Sequence, residues 1–388
     1  MGEFKPLLPL GGVSALGRLI GSIREAGISE IIVVSGHMAE KIRSAAQEYS
    51  PGITVIYNEN FSDGMFSSVK AALLYAKKNS KAKNLLIFPV DSPLISASSI
   101  KKVIEASEKS PGNFAIVCFM GKKGHPLLIP HKYIDEILKE KNPAGLRTVT
   151  DRHDYSGNLI RVETADEGTV LDMDVRAAYE ELKEFDKHGS DISVREIMQK
   201  RGQRLYMLRH GSTKQHVGKI FLGQTDVALS DIGRKEAKIA AEIMIEKNIL
   251  PSSIYSSDLK RTAETADIIA AKIGNCDVIK LPGLREMNLG NWDGRYIDEI
   301  KNEFPEEYRR RGLAPLNFKL GFDSENFYDV RYRALKTLRQ ILKQDNEDIF
   351  IVSHRGLIRA LLGFLGNIPD ENAWELDVPR CSLIDPLV

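Results

Sequence analysis

The 388-residue chain is long enough for two domains, and its 43% hydrophobic and 28% charged residues are ordinary for a globular protein. A net charge of +1 excludes an overall field that would draw the molecule to nucleic acid or to a membrane surface. Three scattered cysteines (Cys118, Cys276, Cys381) offer no CxxC or Cys/His spacing, no apolar run reaches the ~18 residues of a membrane span, and MGEFKPLLPLGG lacks the basic-then-apolar pattern of a secretory signal; a disulfide framework and a structural zinc site are excluded and a cytoplasmic location is expected.

Strands and helices alternate along both halves of the chain, which predicts two α/β domains, each a mainly parallel sheet flanked by helices. In the first half the apolar run Ile31 to Gly36 reads as a buried parallel strand, followed by a helix over Ala39 to Tyr49. Strand Ile53 to Tyr57, helix Phe66 to Lys78, strand Asn84 to Asp91, helix Ser98 to Lys109 and strand Phe114 to Phe119 continue the pattern. Residues 186–203 are polar at both ends and read as a linker between domains 1–185 and 204–388. The second half opens with strand RLYMLRH from Arg204, then helix Asp231 to Lys247, strand SIYSS, helix Lys260 to Ile273, strand DIFIVSH ending at His354, and helix Gly356 to Leu365.

Four stretches of the second half carry reactive side chains. LRHGST brings Arg209 and His210 to a glycine turn at a strand end, where α/β sheets bind ligands. SSDLKRTAET places Arg261 in the first turn of a helix, whose free N–H groups favour an anion. LREMNLGNWDG holds Glu286 near Trp292, and a carboxyl against an apolar wall suits a general acid. VSHRG sets His354 at a second strand end. Each stretch alone has an ordinary structural explanation; four in this order do not.

From Arg204 to Leu383 the chain resembles the histidine phosphatase family, the phosphoglycerate mutase-like superfamily. RHG, SSDLxRTxxTA, RExxxGxWDG and VSHRG carry the resemblance, with FLGQTDVALSDIGRKEA and the spacing of Glu325, Asp329 and Arg333 in SENFYDVRYRAL. The resemblance implies that His210 attacks phosphorus and becomes phosphohistidine, that Arg209, Arg261 and His354 hold the phosphoryl oxygens, and that Glu286 serves as acid and then base. It implies substrate contacts from Thr213, Gln224, Thr225 and residue 216, and no metal. Residue 216 is His216 where the family often has Asn. The compact form and the REMNLGNWDG stretch look more like the phosphatase branches than the mutases.

The first half carries PVDSPLIS, with Asp91 at the end of an apolar strand, and NENFSDGMFSSVKAAL with Gly64, Ser67 and Ser68 at a loop-to-helix junction. With MGEFKPLLPLGG, GHPLLIP and LDMDV, these resemble the MobA/MocA-like nucleotidyltransferases. The resemblance implies that Lys5 meets the triphosphate of CTP or GTP, that Gly64, Ser67 and Ser68 contact the nucleotide, and that Asp91 with Asp172 or Asp174 binds Mg²⁺. The strand and glycine-rich loop that precede the lysine in that family have no counterpart here. Either the chain begins inside that motif or this half has lost catalysis; in both cases it is expected to transfer nucleotides poorly, and a nucleotide- or partner-binding module is the alternative.

Overall fold

A computed structural model of the chain describes residues 4–49, 52–142, 145–188, 194–214, 219–321 and 323–386. The chain divides into two compact units, Met1–Asp191 and Ile192–Val388.

The first unit opens with a short hairpin, β1 (Pro9–Leu10) and β2 (Val13–Ser14), and helix α1 (Ala15–Glu25). Ser14 caps α1 by accepting a hydrogen bond from the Gly17 N–H. Strands β3 (Ile32–Ser35) and β4 (Thr54–Tyr57) flank α2 (Ala39–Tyr49) and pair in parallel, Val33 opposite Val55. Helix α3 (Met65–Asn79), β5 (Asn84–Ile87), α4 (Ala97–Lys109), β6 (Phe114–Phe119), β7 (Lys122–Pro130), α5 (Ile134–Lys139), α6 (Leu146–Tyr155), β8 (Leu159–Thr164) and α7 (Arg176–His188) follow. These strands form a separate sheet of order β5-β7-β6-β8. Strand β7 runs antiparallel to both neighbours, while β6 and β8 are parallel. The sheet is covered on both faces. Val69 and Leu73 of α3, Ile134 and Ile137 of α5 and Val149 of α6 meet Phe114, Ile116, Cys118, Leu127 and Ile129. Val103 of α4 meets Ala115, Val117 and Leu128, whose side chains alternate to the other face.

The run at Ile31 to Gly36 is not the fully buried strand expected. Ile32, Val33 and Val34 are only half-buried, as are Leu85, Leu86 and Ile87 of β5. The reason is pairing: β3 is bonded only to β4 and β5 only to β7, so among the described residues each lacks a neighbour on one edge.

The second unit comprises α8 (Val194–Arg201), β9 (Leu205–Arg209), α9 (Asp231–Glu246), β10 (Ser253–Ser256), α10 (Lys260–Ile273), β11 (Asp277–Lys280), α11 (Ile297–Glu303), α12 (Pro305–Leu313), α13 (Phe327–Gln344), β12 (Ile349–Ser353), α14 (Arg355–Leu365), α15 (Asp370–Glu375) and β13 (Leu383–Ile384). Part of the stretch expected as a linker, 186–203, is therefore helical. Val194 and Met198, four residues apart on α8, are buried, and Arg201 donates to the Leu342 carbonyl at 2.7 Å. An apolar pair at that spacing gives the short helix a face to bury against α13.

The sheet order is β11-β10-β12-β9-β13, parallel except for β13. Strands β9 and β12 sit inside it and are apolar and buried almost throughout, as parallel strands covered on both faces must be. On one face Tyr206, Leu208, Ile254, Phe350 and Val352 pack under Ala240, Ala241 and Met244 of α9 and Ala266 and Ile269 of α10. Helix α13 begins with a capping box in which Asn326 accepts from the Asp329 N–H and Asp329 accepts from the Asn326 N–H. Replacing Asn326 with Ala should remove about 0.5–2 kcal/mol of stability, read as a lower urea midpoint at unchanged slope.

Candidate active site

The site begins with sheet register. Strands β9 and β12 are adjacent and parallel, with Arg209 opposite Ser353. Their next residues, His210 and His354, therefore leave the sheet at the same edge. The His210 N–H donates to the Ser353 carbonyl at 3.0 Å. The two imidazoles lie 5.2 Å apart between centroids, at 60°. His210 is 6% exposed and His354 fully buried. His210 Nδ1 lies 2.8 Å from the Gly211 carbonyl oxygen, which can only accept, so Nδ1 carries the proton and Nε2 keeps its lone pair. His354 Nε2 is 3.0 Å from Ser257 Oγ, and its Nδ1 has no partner.

Two arginines surround the rings. Arg261, 1% exposed, donates from its two terminal nitrogens to the Gly223 and Thr225 carbonyls, both at 2.7 Å. Arg209 donates to the Val378 carbonyl at 2.9 Å. The Nε of each is buried without a partner. Burial, and the Arg261 charge after it, hold His210 well below the usual imidazole range against the opposing pull of the Gly211 bond. Burial followed by Arg261 does the same to His354. Arg209 is lowered to about 10 by burial, then by the nearby charges of Arg355 and Arg380. Neutral imidazoles beside the buried Arg261 and the half-buried Arg209 guanidiniums give an electropositive pocket whose nitrogen base is unprotonated near neutral pH.

The carboxyl of Glu286 is fixed by two backbone donors, Met287 N–H at 2.9 Å and Gly356 N–H at 3.1 Å. Gly356 follows Arg355 at the start of α14, and any Cβ there would overlap Glu286 Oε1. The Glu286 backbone is pinned as well. Its carbonyl accepts from Gln224 Nε2 at 2.9 Å and from Arg333, and Arg333 also grips Gly283 and Arg285 carbonyls while forming a two-toothed pair with Glu325. The Gly223–Thr225 turn is held from below by Asp293, which accepts from the Gln224 N–H at 3.0 Å and is pushed up to about 6 by burial. Trp292 beside it is wedged between Phe221 and Phe318, at 5.4 and 5.5 Å.

Thus His210, Arg209, Arg261, Glu286 and His354 are gathered in one place, and Gln224 and Thr225 border them. Thr213 is joined to Leu229 by a backbone bridge and its side chain makes no hydrogen bond among the described residues. His216 lies outside the described residues. Ser257, Asp293 and Arg380 also belong here and were not singled out from the sequence. Ser257 and Asp293 sit inside motifs that were read, but their partners are decided by folding. Arg380 carried no signal: β13 delivers it beside Arg209, with the Cys381 N–H donating to the Arg209 carbonyl at 2.8 Å.

In the first unit, Lys5 is paired with Asp174 at 2.7 Å rather than free. Asp91 is raised by burial first and then by the charges of Asp174 and Asp172, with Lys5 opposing, so the three carboxylates lie within electrostatic reach of one another. No group of three or more His, Cys, Asp or Glu among the described residues is disposed to hold a metal ion by protein ligands alone. Magnesium takes one or two carboxylates and completes its shell with water and phosphate oxygens, so this donor set is compatible with it. Ser67 and Ser68 hydroxyls accept from Asn58 Nδ2 at 2.8 and 3.1 Å, and Gly64 caps α3 ahead of them. No hydrogen bond among the described residues links this group to Asp91 or Lys5.

Comparison with known proteins agrees with both halves. Residues 205–385 match the histidine phosphatase superfamily (branch 1), and residues 1–156 match the MobA-like NTP transferase domain. Phosphoglycerate mutase-like protein 4 of Arabidopsis thaliana is 35% identical over 158 residues, 40% of this chain and 68% of that protein. A glucosyl-3-phosphoglycerate phosphatase of Mycolicibacterium vanbaalenii is 33% identical over 180 residues, covering 44% and 78%. The chain belongs to the histidine phosphatase superfamily. A further relative of this histidine phosphatase, phosphoserine phosphatase 1 of Hydrogenobacter thermophilus, is 30% identical over 182 residues, covering 46% and 83%. The MobA-like match, residues 1–156, precedes the histidine phosphatase match along the chain. No helix among the described residues is long and apolar enough to cross a membrane.

The buried histidines make the phosphatase unit acid-sensitive. The folded chain holds His210 and His354 below the ~6.5 of an unfolded imidazole, so the unfolded state binds protons more readily. Their contribution to stability is full above about pH 6.5 and declines as the pH falls below it toward the depressed folded values. Urea midpoints of the second unit should fall from pH 7.5 to pH 5, and His354→Gln should flatten that slope.

Proposed function

We propose that the second unit hydrolyses phosphomonoesters through a phosphohistidine on His210. The observation that carries this reading is the His210 ring: Nδ1 is tied to the Gly211 carbonyl, and Nε2 is left as a neutral base among Arg209, Arg261 and His354. In the first step the Nε2 lone pair attacks phosphorus in line and the P–O bond to the alcohol breaks. Arg209, Arg261 and His354 neutralise the charge on the three equatorial oxygens, with Thr213, Gln224 and Thr225 lining the approach. Glu286 gives its proton to the departing alkoxide. In the second step Glu286 takes a proton from water, the oxygen attacks phosphorus, and the P–N bond breaks to return neutral His210 and inorganic phosphate.

His210→Ala should abolish turnover of p-nitrophenyl phosphate while the melting temperature stays near that of the parent. Arg261→Ala should cost about 2.7–4 kcal/mol of transition-state stabilisation, roughly 10²–10³ in kcat. A His210→Ala protein that turned over at the parent rate would sink the assignment.

Hydrolysis is favoured over isomerisation by the compact form of the unit and its REMNLGNWDG stretch; relatives named as phosphatases for phosphoserine and glucosyl-3-phosphoglycerate align with most of the second unit, as do relatives named as phosphoglycerate mutases. The mutase reading has its own support in the relative named as phosphoglycerate mutase-like. It requires isomerisation of 3-phosphoglycerate that depends on a bisphosphate primer.

For the first unit we infer a nucleotide site in which Asp91, with Asp172 or Asp174, holds Mg²⁺ against the phosphates of CTP or GTP. The ion would supply charge neutralisation, and Lys5 would turn from Asp174 to the phosphates. With Lys5 already paired, binding without efficient transfer is the expected behaviour. CTP or GTP with Mg²⁺ should raise the melting temperature of this unit, Asp91→Ala should remove that rise, and pyrophosphate release should stay near background.

A further inference from the structure

We propose that α9 carries the contact surface of a two-fold dimer, in which the helix packs antiparallel against the same helix of a second copy of this chain.

Helix α9 (Asp231–Glu246) has one apolar face more than a surface helix of a single molecule uses. Its first face is accounted for. Gly233, Ala237, Ala240, Ala241 and Met244 are buried, and the last three pack on the sheet beneath. Ile232, Ile239 and Ile243 form the second. Their spacing of seven and four residues brings them within about 40° of one another, roughly a third of a turn round from the buried face. They are 62%, 55% and 40% exposed. Single exposed apolar residues are ordinary, whereas three β-branched ones aligned on one helix flank make a contiguous patch.

Helix α10 does not cover this flank. Arg234, two residues and roughly 200° round the helix from Ile232, pairs with Glu264 of α10 at 2.6 Å. The side of α9 that meets α10 is therefore the one opposite the isoleucines.

The charges beside the stripe point to the occupant. Lys235 and Glu242 share one border of it, on successive turns. Among the described residues Lys235 has no ion pair, and Glu242 has only Lys272, at 3.3 Å with both side chains half-exposed. A two-fold axis between residues 237 and 238 runs the second α9 antiparallel to the first. Ile232 then meets Ile243 of the second copy, Ile243 meets its Ile232, and the two Ile239 side chains lie side by side at the axis. Antiparallel packing keeps like borders together. Lys235 comes level with residue 240 of the second copy, about 3 Å along the helix from its Glu242, and symmetry makes that pair twice. A parallel arrangement sets Lys235 against Lys235 and Glu242 against Glu242 instead. On the other border the Glu236 carboxylate is taken up by the Ser212 N–H and hydroxyl, at 2.6 and 2.8 Å. One helix flank offers less than the roughly 800 Å² per partner of a standard interface, so the dimer is reversible and dissociates on dilution.

The test is sedimentation equilibrium of the full chain between about 1 and about 100 µM. Across that range the average mass should rise from the 43.3 kDa of one chain toward twice that value. Ile239→Asp places two carboxylates at the axis and should hold the chain at the mass of one copy throughout, with its melting temperature unchanged at the lowest concentration. Lys235→Glu and Glu242→Lys should each weaken association about tenfold. Combined, they rebuild the pair with its signs reversed and should restore association. A chain that remains a single copy at the highest concentration overturns the proposal, as does a dimer that survives Ile239→Asp. A charge-swapped chain that associates no better than either single variant overturns it too, because only this antiparallel self-contact requires the two signs to match.

Discussion

The parallel pairing of β9 with β12 is the constraint on which the phosphatase unit depends. With Arg209 opposite Ser353, the residue that follows on each strand is a histidine, and the two rings must emerge at one edge, 5.2 Å apart. A shift of one residue in either strand would exchange the buried and emerging side chains and dismantle the pair. The apolar runs that bury β9 and β12 on both faces prevent such a shift. Fold stability and ring placement therefore have the same origin.

Around that edge the chain solves a charge problem. A buried guanidinium, Arg261, and a half-buried one, Arg209, stand beside two imidazoles, and the imidazoles stay neutral because burial and the guanidinium charge both disfavour their protonation. The terminal nitrogens of Arg261 are satisfied by the Gly223 and Thr225 carbonyls, and that turn is in turn fixed by Asp293. At Gly223 the backbone has φ +44 and a Cβ would strike the Asp293 carboxylate, so only glycine lets the turn approach so closely. Arg333 performs the equivalent service for the loop of Glu286, binding the carbonyls of Gly283, Arg285 and Glu286 and the carboxylate of Glu325 at once. The pocket is thus positioned by backbone carbonyls and carboxylates outside it, while the Nε groups of Arg209 and Arg261 have no partner among the described residues.

The first unit shows the converse. Its four-stranded sheet is packed on both faces, yet among the described residues β3 and β5 each lack a strand on one edge, and their apolar side chains are only half-buried. Its carboxylates and Lys5 are close enough to influence one another, but Lys5 is already neutralised by Asp174. A site whose cation is paired with its own carboxylate has a competitor built in for any phosphate that approaches.

By itself the sequence determined the element types and most of their bounds: helices Ala39–Tyr49 and Lys260–Ile273 and strand Phe114–Phe119 follow directly from apolar periodicity. It also singled out His210, Arg209, Arg261, Glu286 and His354, which the fold brings to one sheet edge, because histidine, arginine and glutamate at strand and helix ends within recognisable motifs carry their chemistry in their identity. Only tertiary structure decided the rest. That β7 runs antiparallel within the first sheet, that β3 and β5 each pair on one side only among the described residues, and that Val194 and Met198 fold residues of the expected linker onto α13 all depend on long-range pairing and packing, which local periodicity does not encode. Arg380 was illegible for the same reason. Its meaning comes from the short strand β13 closing against β9, a contact between segments remote in the chain that no spacing within either one records.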